Sequence, residues 1–150
     1  MELSHVDEAG NARMVDVSAK PRVFRTATAK GCIEMKRETA DLIRENRIKK
    51  GDVLTTAKIA GINAAKQTAT LIPLCHTIAV DHVDLEFELF ETGVRIRSRA
   101  VCTDKTGIEM EALTAVSVAA LTIYDMCKAA DKTMTIGEIS LVEKTKEERD

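Results

Sequence analysis

The chain has 150 residues, 45% hydrophobic and 31% charged, the size and balance of one globular domain with a real core. A net charge of −2 gives no global attraction to nucleic acid or to a membrane surface, and three Phe, one Tyr and no Trp leave few aromatic faces for base stacking. The start, MELSHVDEAGNARM, lacks the basic-then-apolar pattern of a signal peptide, and no uninterrupted apolar run approaches the roughly 18 residues that span a bilayer.

Cys32, Cys75, Cys102 and Cys127 are scattered with no Cys-x-x-Cys pair, which argues against a disulfide framework or a structural metal and for a reducing cytoplasm. Residues 1–12 are polar and expected to be flexible, as is the charged tail from 144 to 150. Residues 14–20 (MVDVSAK) form a short extended segment that ends at Pro21, with Asp16 and Ser18 as turn residues. Residues 22–35 alternate well enough to be a strand, and 36–47 make a short surface helix. Asp52 can cap a helix from Val53 to about Thr68, along which Ala57, Ala60, Gly61, Ala64 and Ala65 permit close packing. Lys50 before this helix and Lys66 within it read as solvated side chains, although a Lys beside a helix N-terminus can also hold a phosphate.

Residues 71–77 (LIPLCHT) are an apolar loop broken by Pro73 and carrying Cys75 and His76. Adjacent side chains rarely face one another, so these two are not a Cys/His catalytic couple. An imidazole titrates near neutrality and serves acid–base chemistry where a pocket surrounds it; a lone His is otherwise a satisfied structural residue. Residues 80–90 and 93–103 make the clearest pairing. Asp84, Glu86 and Glu88 alternate with apolar residues on one strand, and Arg95, Arg97 and Arg99 do so on the other. An acidic row beside a basic row predicts a hairpin whose charges pair across strands, which explains the arginines better than a nucleic-acid patch does.

Residues 109–130 contain neither Pro nor Gly and predict one long helix, apolar most of the way round and therefore buried. Its charges stand only near the ends. Asp125 and Lys128, three apart, can touch as an ordinary ion pair or serve chemistry, and Asp is the odder of the two so close to a helix C-terminus. Glu111 and Asp125 share one side of the cylinder but are about 21 Å apart along the axis. If both act, they belong to two sites or to one site assembled from two subunits. A last strand over 134–143 completes the order strand, helix, helix, strand, strand, helix, strand. Two split β-α-β units predict an α+β, ferredoxin-like antiparallel sheet with helices on one face. The greasiness of the long helix predicts that subunits cover one another.

At 71–76 (LIPLCH) and 106–129 (TGIEMEALTAVSVAALTIYDMCKA) the chain closely resembles the MoaC family, the molybdenum cofactor biosynthesis protein C. MVDVSAK at 14–20, KGDV at 50–53 and AxIAGIxAAK at 57–66 extend the resemblance over roughly 14–142. It implies a cyclic pyranopterin monophosphate synthase, which converts 3′,8-cyclo-7,8-dihydroguanosine 5′-triphosphate to cyclic pyranopterin monophosphate and pyrophosphate. It also implies a homo-hexamer, a trimer of dimers, with the site at a subunit interface. By the same resemblance the catalytic pair falls on Asp125 and Lys128, and the other site residues on Lys50, His76, Glu109 and Glu111, with Cys75 and Met110 beside them in the matching motifs. Two departures stand out: Thr77 follows the His where many relatives have Pro, and the chain ends KTKEERD rather than in a Gly/Ser/Lys-rich tail.

The chemistry suits these side chains. Ring opening and reclosure need protons delivered and removed in turn, which a carboxylate–ammonium pair performs when its site brings the affinities toward neutrality. Expulsion of pyrophosphate needs cations around the triphosphate; Lys50 is the first candidate, with Arg25 and Lys66 after it. No redox change is needed, so no nicotinamide, flavin or iron–sulfur cofactor is implied, and no motif here calls for Mg²⁺, although the triphosphate can bring it. Two rivals are a non-catalytic nucleotide-binding or assembly module of the same fold, and an RNA-binding ferredoxin-like domain, against which the scarcity of aromatics speaks.

Overall fold

The structure, a computed structural model, describes residues 4–149. Residues 1–3 and 150, the outermost parts of the two ends expected to be flexible, lie outside the described residues. The elements run β1 (Val23–Glu34), α1 (Arg37–Arg44), α2 (Val53–Lys66), a single turn α3 (Thr68–Leu71), β2 (Val80–Phe90), β3 (Gly93–Asp104), α4 (Glu109–Cys127) and β4 (Thr135–Glu147). All strand pairs are antiparallel and the sheet order is β2-β3-β1-β4, the ferredoxin-like arrangement expected from the pattern.

Ala27, Ala29 and Ile33 alternate along β1 toward α4, and Gly31 lies where the helix crosses the strand. A Cβ on Gly31 would sit 2.6 Å from Val116 Cγ1, so the helix approaches this closely only because the strand carries glycine there. Val116, Ala119, Ala120 and Ile123 of α4 are fully buried against the sheet and α2. α4 is long and apolar enough to cross a membrane by length and composition, but here it is the core helix. α2 begins at Asp52, whose carboxylate accepts from the Thr55 amide at 3.1 Å, as the capping pattern predicts.

Two ends differ from expectation. α4 stops at Cys127 rather than near Ala130: the Ala130 amide closes a tighter i→i−3 turn on the Cys127 carbonyl, and the Asp131 carboxylate is held by Lys36, Thr39 and Thr133. β4 continues to Glu147 instead of ending at Glu143, with Lys144, Thr145 and Lys146 opposite Ala27, Thr26 and Arg25 of β1. The charge ladder of the hairpin forms only in part. Glu88 meets Arg95 at 2.8 Å, whereas Asp84 turns from Arg99 to Lys58 at 2.9 Å.

Candidate functional site

α4 holds a polar cluster at each of its ends, and the site residues expected from sequence divide between them. At the C-terminal end, helical spacing brings Lys128 Nζ to 2.8 Å from Asp125 Oδ1. α2 packs antiparallel to α4, so the loop before α2 lies at the same end. From it Lys50 Nζ reaches Asp125 Oδ2 at 3.1 Å and the Asp125 carbonyl at 3.2 Å. The close approach of the two helices depends on Gly61, where a Cβ would stand 2.9 Å from the Ala115 carbonyl oxygen. Hydrogen bonds from Lys128 and then Lys50 hold the Asp125 carboxyl below its usual range, and the bond to Asp125 raises Lys128. The side chains of Lys50, Asp125 and Lys128 are 50%, 57% and 55% exposed in the single chain, beside a cleft of about 280 Å³ lined by Lys50, Ile48, Leu42 and Met126.

The N-terminal end gathers Cys75, His76, Glu109, Met110 and Glu111 around a cleft of about 130 Å³, with His5 from the N-terminal segment on its rim. His76 Nε2 lies 2.6 Å from the Val15 carbonyl; a carbonyl only accepts, so the ring carries its proton on Nε2. That bond ties the 14–20 segment, through Val15, to a residue that lines the cleft. Asp16 closes its own turn by accepting from the Ser18 amide, and the Ser18 carbonyl accepts from Lys105. Glu111 is only 3% exposed, and burial, with the charges of Glu109 and Asp104 added, pushes its carboxyl up to about 7. Glu109 Oε2 is buried without a hydrogen-bond partner, while Lys144 Nζ stands 3.9 Å from Oε1. Gly107 leaves the space this carboxylate occupies. A buried acceptor with no donor is costly, and this one is free to take an N–H donor. Burial, then the charges of Glu111 and Glu109, push the Cys75 thiol up, which keeps it protonated and not a nucleophile.

Arg25 donates to the carbonyls of Asp104 and Lys105 at 3.2 and 3.4 Å and lines a further cleft of about 330 Å³ with Glu109, Lys144 and Lys146. The two lysines escaped the sequence reading because they looked like tail; only the pairing of β4 with β1 puts them beside Arg25. Lys66, the last residue of α2, is exposed, makes no ion pair among the described residues and stands at the Glu111 end of the helix pair. Among the described residues no group of three or more His, Cys, Asp or Glu gathers as metal ligands.

A family model described as the MoaC family matches residues 14–147. The chain is 60% identical over 146 residues to the cyclic pyranopterin monophosphate synthase of Desulfitobacterium hafniense, a match covering 97% of this chain and 90% of that protein. Proteins of the same name from Peptoclostridium acidaminophilum and Heliobacterium modesticaldum are 57% and 59% identical over 145 residues. Those matches cover 97% and 95% of this chain, and 92% and 91% of the respective relatives. The motifs on which the resemblance rests all lie inside the matched span, and the chain belongs to the MoaC family.

Proposed function

We propose that this chain is a cyclic pyranopterin monophosphate synthase, a lyase of molybdenum cofactor biosynthesis working in the cytoplasm on a cyclised guanosine triphosphate. The observation that carries the reading is a largely apolar helix with Lys50, Asp125 and Lys128 hydrogen-bonded together at one end and a buried carboxyl, Glu111, at the other.

In this reading the site is completed by a second copy. Between the two clusters α4 leaves a stripe only partly covered, Leu113, Thr114, Ser117 and Val118, with Leu121 58% exposed. Val118 stands midway in the chain between Glu111 and Asp125. Two such helices packed antiparallel about Val118 bury the stripe and bring Glu111 of one copy toward Asp125 of the other, so the separation of about 21 Å within a helix ceases to matter. A homo-hexamer built as a trimer of dimers provides such contacts.

Lys128 is the main proton donor and acceptor, and Asp125 orients it. In the single chain both groups are held ionised, so Lys128 begins as an acid; burial under the second copy lowers an ammonium pKa and brings the return step within reach. Glu109 and Glu111 accept from the purine edge, with Cys75, His76 and Met110 forming the wall of that cleft. Lys50, Arg25 and Lys66 supply positive charge as pyrophosphate leaves. The deciding experiment is turnover by Lys128→Ala: product formation is lost while the assembly keeps its mass. A variant that turns over normally overturns the catalytic reading and leaves a binding or assembly module.

A further inference from the structure

Residues 5–13 have no part in the scheme above, yet they are closely fastened. The Asp7 carboxylate accepts from the amides of Ala9 and Asn11 at 3.0 and 2.8 Å, an Asx turn, and the Asp7 amide donates to the Asn11 carbonyl at 2.9 Å. Gly10 supplies the left-handed residue of this turn, with φ 82°. Val6 bridges Ala12, and the Arg13 amide donates to the His5 carbonyl at 2.9 Å. Only Val6 and Asp7 of residues 5–13 are partly covered, so the turn adds little to the core. What it does is hold the backbone of His5 where the side chain lines the cleft shared by Cys75, His76, Glu109 and Glu111.

That cleft is rich in acceptors and short of donors. Glu109 Oε2 is buried without a partner, and the Glu111 carboxyl lies beside it, 3% exposed. His76 gives its Nε2 proton to the Val15 carbonyl, which leaves Nδ1 of the neutral ring as an acceptor. The Thr106 hydroxyl serves either way. Among the described residues, His5 brings the one lining side-chain N–H that is not already committed. A guanine-type edge presents N–H groups beside a carbonyl oxygen, so a site that reads it needs acceptors for the first and a donor for the second. We infer that His5 is a further substrate-contacting residue, donating from its imidazole to the purine carbonyl while Glu109 and Glu111 take the neighbouring N–H groups. This role rests on the cleft being the purine site, as proposed above, and makes His5 the residue that tells a purine with that carbonyl from one without it.

The test is calorimetric titration of wild type, His5→Ala and His5→Gln with GTP and with 2-aminopurine riboside 5′-triphosphate, which lacks the carbonyl. Wild type is expected to prefer GTP. His5→Ala is expected to weaken GTP by roughly three- to tenfold and the analogue by less than about twofold. His5→Gln keeps an N–H and is expected to recover part of the loss. In turnover of the cyclised substrate, His5→Ala raises KM and leaves kcat nearly unchanged, the mark of a contact made before the chemical step and kept through it. His5 is exposed at the rim, and thermal melts of both variants check that the fold is kept. Equal weakening of both nucleotides, or an unchanged affinity for GTP, overturns the role given to His5 and leaves the purine cleft standing. A wild type with no preference for GTP over the analogue overturns the purine reading of the cleft, and His5 with it.

Discussion

Glu111 is the residue at which burial and function pull against each other. Its carboxyl is pushed up from the ordinary 4.5 to about 7, so the folded chain holds this proton more tightly than the unfolded chain does. Stability from that source is fully present below pH 4.5 and is lost as pH rises through about 7. Glu111→Gln removes the loss. It is expected to raise stability at pH 8 by on the order of 3 kcal/mol, with little change at pH 4, in urea melts at the two values, while turnover falls. A variant whose stability follows pH as wild type does would place the titration elsewhere. Asp125 and Lys128 show the opposite pattern: each is shifted in the direction that keeps it charged, by the bond between them and by Lys50. Their spacing was legible in the sequence. Lys50 as the third member was legible only through the family motif, since it meets Asp125 from a different element.

At the scale of elements, two contacts position the site without touching its chemistry. Gly61 lies inside a helix, where Ala is ordinarily favoured by about 1 kcal/mol. Here an added Cβ meets the Ala115 carbonyl at 2.9 Å and Leu85 Cδ2 at 2.6 Å, and a backbone carbonyl cannot swing aside. Gly61→Ala is therefore expected to destabilise the fold by roughly 1–3 kcal/mol, read from chemical unfolding, and to weaken turnover by moving Lys50 away from Asp125. The second contact is Asp131, 2% exposed, which accepts from the Lys36 amide and Thr39 at one end of α1 and from the amide and hydroxyl of Thr133. Burial alone would raise this carboxyl, but the bonds from Lys36, Thr133 and Thr39 together outweigh it and hold it well below the usual range. That stability is present at neutral pH and is lost as pH falls toward the depressed value. Asp131→Ala is expected to cost about 3 kcal/mol at pH 7 in a denaturant melt, since four donors lose a charged acceptor. The same bonds explain the early end of α4: propensity favours helix to Ala130, and the anchoring of Asp131 turns the chain before it.

The whole molecule explains the division of the site. One chain brings Lys50, Asp125 and Lys128 together at one end of α4 and the Cys75–Glu111 cleft at the other, and offers a partly covered stripe between. If two copies share each site, Lys128→Ala and Glu111→Gln, both inactive alone, recover activity when co-expressed. Random pairing makes half of the dimers mixed with one intact site each, so recovery of up to about a quarter of the wild-type rate is expected. No recovery, with mixed assemblies shown to be present, would mean that both clusters act within one chain.

Period and composition by themselves determined most of the architecture: the acidic and basic strands, the capped α2 and the Pro- and Gly-free run of α4 are local patterns, and local patterns suffice for elements. The spaced motifs likewise sufficed for the family. Only the tertiary structure decided which of those residues meet. It gave Asp125 to Lys50 as well as Lys128, turned Asp84 toward Lys58, drew Lys144 and Lys146 out of an apparent tail to Arg25, and tied His76 to Val15. The physical reason is common to all of these. Backbone periodicity is written in neighbouring residues, whereas a charge chooses its partner from whatever the packing of distant segments brings within about 3 Å.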